Sequence, residues 1–220
     1  MTEKFLIVGS GGHARVIIDM LEINPGVAIL GLVDDYRRPS DQMMGYSVLG
    51  RTCDVKALLH KHGPFGVIVA VGDNASRKKI LDKLPLDLGI HLPVIIHPTA
   101  CVARTAVLGR GTVVMAGAIV GPQCSVGELA IINTRASLDH DCNVGDFASL
   151  APGVTVGGGC RFGDYAALGI GAIVRHGITV GHGAVVGAGS TLLNDVPELV
   201  VAYGTPARVI RARTLADAYL

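Results

Sequence analysis

Three consecutive residues, Asp139, His140 and Asp141, place an imidazole between two carboxylates. An imidazole with its ordinary pKa of about 6.5 can accept a proton at neutral pH. A neighbouring carboxylate fixes the tautomer of such a base and stabilises the imidazolium that forms. The same triplet is also typical of a solvated surface turn. Two interpretations, a general base and an ordinary turn, are therefore open from these residues alone.

A glycine-rich turn near the start of the sequence is the second candidate for chemistry. Residues 9–14, GSGGHA, fit the pattern G-x-G-x-x-A, and Asp34-Asp35 follow about 20 residues later. Such glycines let the backbone approach a phosphate at a helix N-terminus, and the acidic pair can accept hydrogen bonds from a ribose or a base. The literal interpretation is an NAD-dependent oxidoreductase. Since only one mononucleotide-binding half fits, a single nucleotide carried on a sugar is favoured, with an empty tight turn as the other alternative.

The elements around this turn alternate between strand-like and helix-like segments, which predicts an α/β half-Rossmann domain with a parallel sheet over residues 1–95. The predicted strands are Leu6–Gly9, Ala28–Val33, Val67–Val71 and Val94–Ile96. The predicted helices are His13–Ile23, Asp54–His62 and Ala75–Leu84, with Cys53 or Asp54 and then Asn74 near the N-caps of the last two.

The elements around His140 follow a different rule. From Ile96 to Leu192 an aliphatic residue or Phe occupies every sixth position without a slip, and a small residue follows most of them four positions later. A period of six fits neither a helix nor an alternating strand; it predicts short flat strands joined by turns and stacked as coils. We assign residues 96–196 to this β-helix and residues 197–220 to a C-terminal cap. Cys124, Cys142 and Cys160 lie 18 residues apart, which favours a column of small core residues over a metal or redox cluster.

The chain resembles the sialic acid O-acetyltransferase and UDP-4-amino-sugar N-acetyltransferase group of hexapeptide-repeat enzymes. The resemblance covers nearly the whole chain. It rests on GSGGHARVIIDML, the pair Asp34-Asp35, VGDNASRKK, NTRASLDHDCNVGDFASLAPG and YGTPARVI. It implies a left-handed parallel β-helix with three hexapeptides in each coil of 18 residues. It also implies a homotrimer with acetyl-CoA, the co-substrate, between subunits, and a nucleotide-sugar substrate.

The resemblance also assigns roles to residues. His140 is then the general base, Asp141 supports it, and the backbone N–H of Gly158, one coil further on, holds the thioester carbonyl. Ser149 stands where many members carry a second His. Asn133 is expected to contact the sugar. The pantetheine path is expected along the backbone at Ile170 and Ala188, and the nucleotide at Gly11, Gly12, His13, Asp34, Asp35 and Gly72.

Three other functions remain as alternatives. O-acetylation of sialic acid competes with N-acetylation of a nucleotide-linked 4-amino-4,6-dideoxy sugar, and the acidic pair favours the latter. Gamma-class carbonic anhydrases also resemble this chain in carrying β-helix histidines, here His140, His176 and His182. Their spacing departs from that family's zinc motif, so we expect no metal. A non-enzymatic β-helix scaffold is disfavoured by the glycine-rich turn and the His–Asp pair.

Composition limits the partners and the location. The net charge is +1 with no block of Lys and Arg, so we expect no nucleic-acid partner. No apolar run reaches the roughly 18 residues of a membrane span, and the N-terminus lacks the pattern of a signal peptide. An odd number of cysteines, five, is typical of a reducing compartment. We therefore expect a cytoplasmic protein without membrane insertion.

Overall fold

The computed structural model describes residues 2–218 and divides the chain into two compact units, one ending at Pro93 and the other beginning at Val94. The last two residues of the predicted C-terminal cap, 219–220, lie outside the described residues. Among the described residues, no helix combines the length and apolar character needed to cross a membrane.

The first unit is a five-stranded sheet with three helices. Its strands are β1 (Glu3–Val8), β2 (Val27–Val33), β3 (Gln42–Met43), β4 (Tyr46–Gly50) and β5 (Gly66–Val69), and its α-helices are α1 (Gly12–Glu22), α2 (Val55–His62) and α3 (Asn74–Leu81). The sheet order is β3-β4-β2-β1-β5, and all neighbours are parallel except the β3–β4 hairpin. Apolar side chains of β1 and β5 are buried on both faces of the sheet, as expected for a parallel sheet.

One predicted strand of this unit was wrong, and one hairpin was not predicted. The segment Val94–Ile96 was assigned to this sheet, but its strand, Ile95–Ile96, pairs with Val113–Val114 in the second unit. The β3–β4 hairpin was not predicted; it closes through Met44 and Gly45, both with positive φ, where Asn-Gly is the usual signal. The N-cap of α3 is Asp73, next to Asn74, which was predicted to lie near it; the Asp73 carboxylate accepts from Ser76 N at 2.8 Å.

The second unit is a left-handed parallel β-helix. Its first seventeen strands, β6 to β22, contain two residues each. They are Ile95–Ile96, Cys101–Val102, Val107–Leu108, Val113–Val114, Ile119–Val120, Ser125–Val126, Ile131–Ile132, Ser137–Leu138, Asn143–Val144, Ser149–Leu150, Thr155–Val156, Arg161–Phe162, Ala167–Leu168, Ile173–Val174, Thr179–Val180, Val185–Val186 and Thr191–Leu192. A final hairpin, β23 (Val200–Gly204) and β24 (Ala207–Ala212), extends one of the three sheets.

The period of six is confirmed by the register of these strands. Each strand from β6 to β19 pairs in parallel with the strand 18 residues later, as Ile119 does with Ser137. The second residue of each strand from Val114 to Leu192 is at most 2% exposed, whereas Ile96, in the edge strand β6, is 45% exposed. The small residues occupy the corners, and every sixth residue from Gly111 to Gly189 adopts positive φ to make the turn. The core is therefore one continuous ladder, with side chains of the turns exposed along the edges.

Candidate active site and nucleotide pocket

His140 lies in the turn between β13 (Ser137–Leu138) and β14 (Asn143–Val144) of the β-helix. The next residue, Asp141, is the turn residue with φ of +58°, a conformation that Asp tolerates better than most residues. Its carboxylate lies 2.6 Å from Nδ1 of His140. The turn also fixes the main chain, since the Asp139 carboxylate accepts from His140 N at 2.9 Å. The predicted His–Asp pair is therefore formed within one turn.

The electrostatics of this turn favour the charged imidazole. The hydrogen bond to Asp141, and then the charge of Asp139, raise the pKa of His140 above its usual value. Its side chain is 57% exposed, so a substrate can reach it. With Asp141 accepting at Nδ1, the neutral ring carries its proton there and leaves the Nε2 lone pair to accept another.

Gly158 lies directly beneath this imidazole, one coil further on. A Cβ at Gly158 would lie 2.6 Å from both Nε2 and Cε1 of His140, so the ring occupies the space that any side chain would need. The two turns are joined by a hydrogen bond from Gly159 N to His140 O of 2.9 Å. Within residues 2–218, the N–H of Gly158 has no hydrogen-bond partner. A general base and an available amide donor therefore lie side by side.

The three stacked cysteines line the inside of the same edge. They are at most 1% exposed, which confirms that they are core residues. Their thiols lie close to turn carbonyls: Cys124 Sγ is 2.9 Å from Asp139 O and Cys142 Sγ is 3.4 Å from Gly157 O. Burial raises the pKa of the Cys142 thiol to about 12, which keeps it protonated and able to donate. The thiols thus support the main chain of the His140 and Gly158 turns.

The other residues predicted to contact acetyl-CoA, and Asn133, predicted to contact the sugar, lie elsewhere on the β-helix. Ile170 and Ala188 belong to the column of turns that also contains Pro152, since Gly171 N donates to Pro152 O and Gly189 N to Ile170 O. Ser149, in a strand, and Asn133, beside one, lie at the sheet that leads into this second edge. One sheet of the β-helix separates that edge from His140. Within one chain, the structure brings together His140, Asp141 and Gly158, but not these four residues.

The alternative metal ligands do not converge either. His176 stands in the column of His140 two coils on, with Gly158 between them, and His182 lies in the next column of turns. The part of the chain that the structure describes contains no group of three or more His, Cys, Asp or Glu residues that could hold a metal ion.

In the first unit, the glycine-rich turn connects β1 to α1. Gly9 adopts φ of +103°, and a Cβ there would lie 2.8 Å from Val71, so this position requires glycine. Gly11 is the N-cap of α1 and, like Gly12, has open space where a side chain would be. Among the described residues, no side chain caps this helix. Its first N–H groups and the positive end of its dipole are thus accessible to an anion such as phosphate.

His13, in the first turn of α1, is mostly buried, and its Nε2 has no hydrogen-bond partner within residues 2–218. Burial, and then the charge of Arg77, lower the pKa of His13 to about 4, so the ring is neutral at pH 7. Arg77 is itself 1% exposed and donates to the carbonyl of Gly72 at 2.6 Å and to Asn74 Oδ1 at 2.8 Å. It thereby fixes the loop that carries Gly72.

The acidic pair follows β2 and is held by hydrogen bonds. The Asp34 carboxylate accepts from Ser10 Oγ at 2.6 Å and from Tyr36 N at 2.8 Å. The Asp35 carboxylate accepts from Thr52 N at 2.8 Å and pairs with Lys83 at 3.0 Å. Although partial burial alone would raise it, the pKa of Asp35 is lowered overall by these two partners. Both carboxylates are thus fixed by hydrogen bonds at the carboxyl end of β2.

A pocket of about 180 Å³ connects these features. It lies at the carboxyl ends of β1, β2 and β5, where the sheet order reverses direction, which is where ligands bind in open α/β sheets. Its walls are Val8, Gly9, Val33, Asp34, Asp35, Tyr36, Thr52, Val71, Ser76, Lys79, Ile80 and Lys83. Of the six residues predicted to contact the nucleotide, only Asp34 and Asp35 line it.

Sequence reasoning missed several residues that build this unit's candidate site. Ser10, Thr52 and Lys83 hold the acidic pair, and Arg77 holds the loop of Gly72. Arg77 belongs to VGDNASRKK, a segment on which the resemblance rests. The segment contains three cationic residues in a row, and its sequence does not show that Arg77 is the buried one. Thr52 and Lys83 lie far from the acidic pair in sequence and carry no motif.

The comparisons with known proteins agree with this architecture. Residues 4–84 match the PglD N-terminal domain family. The chain is 34% identical over 110 residues to UDP-N-acetylbacillosamine N-acetyltransferase of Bacillus subtilis (strain 168), covering 50% of this chain and 50% of that protein. The aligned segment therefore spans about half the length of this curated relative.

Solved structures match over nearly the full length. A histidine-to-asparagine mutant of perosamine N-acetyltransferase from Caulobacter crescentus, in complex with CoA and GDP-perosamine, is 37% identical with a TM-score of 0.89. The match covers 96% of this chain and 98% of that one. The acetyltransferase domain of PglB from Neisseria gonorrhoeae, in complex with acetyl coenzyme A, is 34% identical with a TM-score of 0.85, covering 96% and 100%.

Proposed function

Because this chain belongs to the hexapeptide-repeat acetyltransferases of the 4-amino-sugar group, we propose that it transfers an acetyl group from acetyl-CoA to the 4-amino group of a nucleotide-linked 4-amino-4,6-dideoxy sugar. The observation that carries this proposal is the His140–Asp141 pair packed on the free amide of Gly158. The full-length similarity to a perosamine N-acetyltransferase bound to CoA and GDP-perosamine supports the same substrate class.

In this proposal His140 is the general base of a direct transfer. The sugar amine attacks the thioester carbonyl, forming the C–N bond, and Nε2 of His140 takes the proton that the nitrogen must lose. The N–H of Gly158 donates to the oxygen that becomes negative. When the C–S bond breaks, the imidazolium returns the proton to the departing sulfur, giving the amide and free CoA. Asp141, at 2.6 Å from Nδ1, orients the ring and stabilises its charged form throughout.

The first unit is proposed to hold the nucleotide. The uncapped start of α1, with Gly11, Gly12 and His13, is the proposed phosphate site, and Asp34 and Asp35 accept hydrogen bonds from the ribose or base. The main chain at Gly72, fixed by Arg77, closes the same region. Asn133 is proposed to contact the sugar.

We also propose that the enzyme is a homotrimer. In one chain, Ile170 and Ala188, the proposed pantetheine contacts, lie on a different edge from His140, and Ser149 lies on the sheet leading to that edge. An acetyl-CoA that contacts both sets therefore needs a second copy of the chain. Light scattering tests this, and a stable monomer at assay concentration would contradict it. The five free cysteines support a reducing compartment, so the proposed location is the cytoplasm.

The decisive experiment is thiol release from acetyl-CoA with a panel of acceptors. The panel contains GDP-, UDP- and dTDP-linked 4-amino-4,6-dideoxy sugars, the same sugars without the amino group, and free sialic acid. We expect stoichiometric thiol release and amide formation with at least one amino sugar, undiminished by a chelator. Release with sialic acid alone would replace this proposal with O-acetylation. Activity that requires stoichiometric zinc would revive the carbonic anhydrase alternative.

A further inference from the structure

Tyr36 is the most exposed large hydrophobic side chain among the described residues of the first unit. It follows Asp34 and Asp35, is 98% exposed, and lines the pocket at the carboxyl ends of the strands. Within residues 2–218 its side chain makes no hydrogen bond and no contact with another ring. Exposed apolar side chains are common and need no explanation by themselves. The position of the Tyr36 ring at the rim of a pocket, however, indicates a role in binding.

The main chain at Tyr36 is fixed although its ring is free. Asp34 accepts from the N–H of Tyr36 at 2.8 Å, while Asp35 is anchored to Thr52 N and Lys83. The ring is therefore carried by a main chain with little freedom, which lowers the entropy that a ligand must overcome to order it.

The pocket beside this ring has the composition that a flat heterocycle needs. Its apolar walls are supplied by Val33, Val71 and Ile80, which suit the two faces of a planar ring. Its polar rim contains Asp35 and Lys83, an acceptor and a donor for the N–H and C=O groups at the edge of a nucleobase.

We propose that the Tyr36 ring stacks on the base of the bound nucleotide and that this stacking sets much of the affinity for the nucleotide part of the substrate. The inference rests on the proposed function, because it assumes that the first unit binds a nucleotide. Aromatic side chains stack on any base, with a contribution that alanine substitution measures as about 5- to 100-fold in affinity. Tyr36 is then a binding residue that acts on the Michaelis constant and not on the chemical step.

The absence of Trp from the sequence allows a direct test. A Tyr36→Trp variant contains a single Trp at the proposed contact, and its fluorescence is titrated with GDP, UDP and dTDP. The matched control is Tyr46→Trp in the same unit, because Tyr46 begins β4 and bonds Glu22 at the far end of α1. We expect saturable quenching of Tyr36→Trp by at least one nucleotide and none for Tyr46→Trp. The base that binds best at Tyr36→Trp then identifies the nucleotide.

Kinetics of two further variants complete the test. Tyr36→Ala should raise KM for the sugar nucleotide about tenfold, with kcat and KM for acetyl-CoA unchanged, and Tyr36→Phe should match the wild type because the hydroxyl is not used. Calorimetry that gives equal nucleotide affinity for the wild type and Tyr36→Ala would overturn the stacking and leave the proposed function intact. A change of oligomeric state in Tyr36→Ala with unchanged nucleotide affinity would instead assign the ring to an interface. Failure of the wild type to bind any nucleotide would overturn both proposals.

Discussion

Two histidines, one in each unit, have pKa values that are shifted in opposite directions. His140 lies on an exposed turn of the β-helix between two carboxylates, which raise its pKa. His13 lies buried in the first turn of α1 beside the Arg77 guanidinium, and its pKa falls to about 4. Negative neighbours around an exposed ring favour the protonated form of His140. Burial and a positive neighbour keep His13 neutral.

The difference separates proton transfer from binding. A general base must reach its substrate and return the proton, and the exposed side of His140 allows both. The neutral, mostly buried imidazole of His13 lies beside the proposed phosphate site. It supplies shape and a fixed dipole there without changing its protonation state near pH 7. The two regions can thus be tested independently, one through the rate and the other through stability and affinity.

The largest effect is expected when the base is removed. His140→Ala should lower kcat by about 10²–10⁴-fold, because the transfer then lacks a positioned proton acceptor. The side chain points away from the aliphatic ladder, so thermal stability and both Michaelis constants should change little. Steady-state kinetics with both substrates measure this. The control is His176→Ala, an exposed imidazole in the same column two coils further on, which should keep wild-type kcat. A His140→Ala enzyme with near wild-type kcat would refute the assignment.

The second prediction concerns His13 and acid. With a pKa of about 4 when folded and about 6.5 when unfolded, the unfolded chain binds the proton more tightly. The stability that neutral His13 contributes is complete above pH 6.5 and decreases as pH falls towards 4, by about 3 kcal/mol. Within residues 2–218 all α-helices lie in the first unit, so ellipticity at 222 nm during urea unfolding follows that unit.

The variant that isolates this effect is His13→Gln, which cannot titrate. Between pH 7 and pH 4, the free energy of unfolding of His13→Gln should decrease by about 3 kcal/mol less than that of the wild type. His140→Ala serves as the control and should keep the wild-type slope in this unit. Equal slopes for the wild type and His13→Gln would show that His13 titrates normally.

The two units also differ in how much of their structure could be predicted from the sequence. In the β-helix, a strict period of six gives the inward residues, and the 18-residue coil that the resemblance implies places Gly158, at 140 + 18, next to His140. The steric reason for glycine at that position, the imidazole above it, was not predicted. It depends on a rotamer, which the period does not encode.

In the first unit, the alternation of strand-like and helix-like segments predicts the parallel sheet but not the side-chain contacts at its edge. Asp35 bonds Thr52 and Lys83, and His13 faces Arg77, each across a large separation in sequence. Such pairs form only after the strands align, and no local pattern connects them. The motif therefore identified the turn correctly, while the residues that hold it were found only in the structure.

The third prediction tests the acidic pair of the first unit. Asp35→Ala should raise KM for the sugar nucleotide roughly 10- to 100-fold, because a charged acceptor with fixed partners is lost. KM for acetyl-CoA and kcat should stay near wild type, since the chemistry lies at His140. Asp19→Ala, which removes an exposed carboxylate from α1, is the matched control and should change neither constant. Equal increases in both Michaelis constants would argue against a nucleotide site at Asp35.

The smallest effect is expected when only the charge beside the base is removed. Asn tolerates positive φ as Asp does, so Asp141→Asn should keep the turn and retain an acceptor near Nδ1 of His140. The lost charge should lower kcat only about three- to tenfold, which is less than the roughly 10²-fold or more that loss of the base itself would cost. The hydrogen bond to Asp141 is the main cause of the raised pKa of His140, so the ascending limb of the kcat/KM profile should move to lower pH. Asp139→Asn, which removes the second cause but leaves the ring orientation, should move the limb less and leave the plateau unchanged. If neither variant moves the limb while His140→Ala still lacks activity, the limb reports deprotonation of the sugar amine and not of His140.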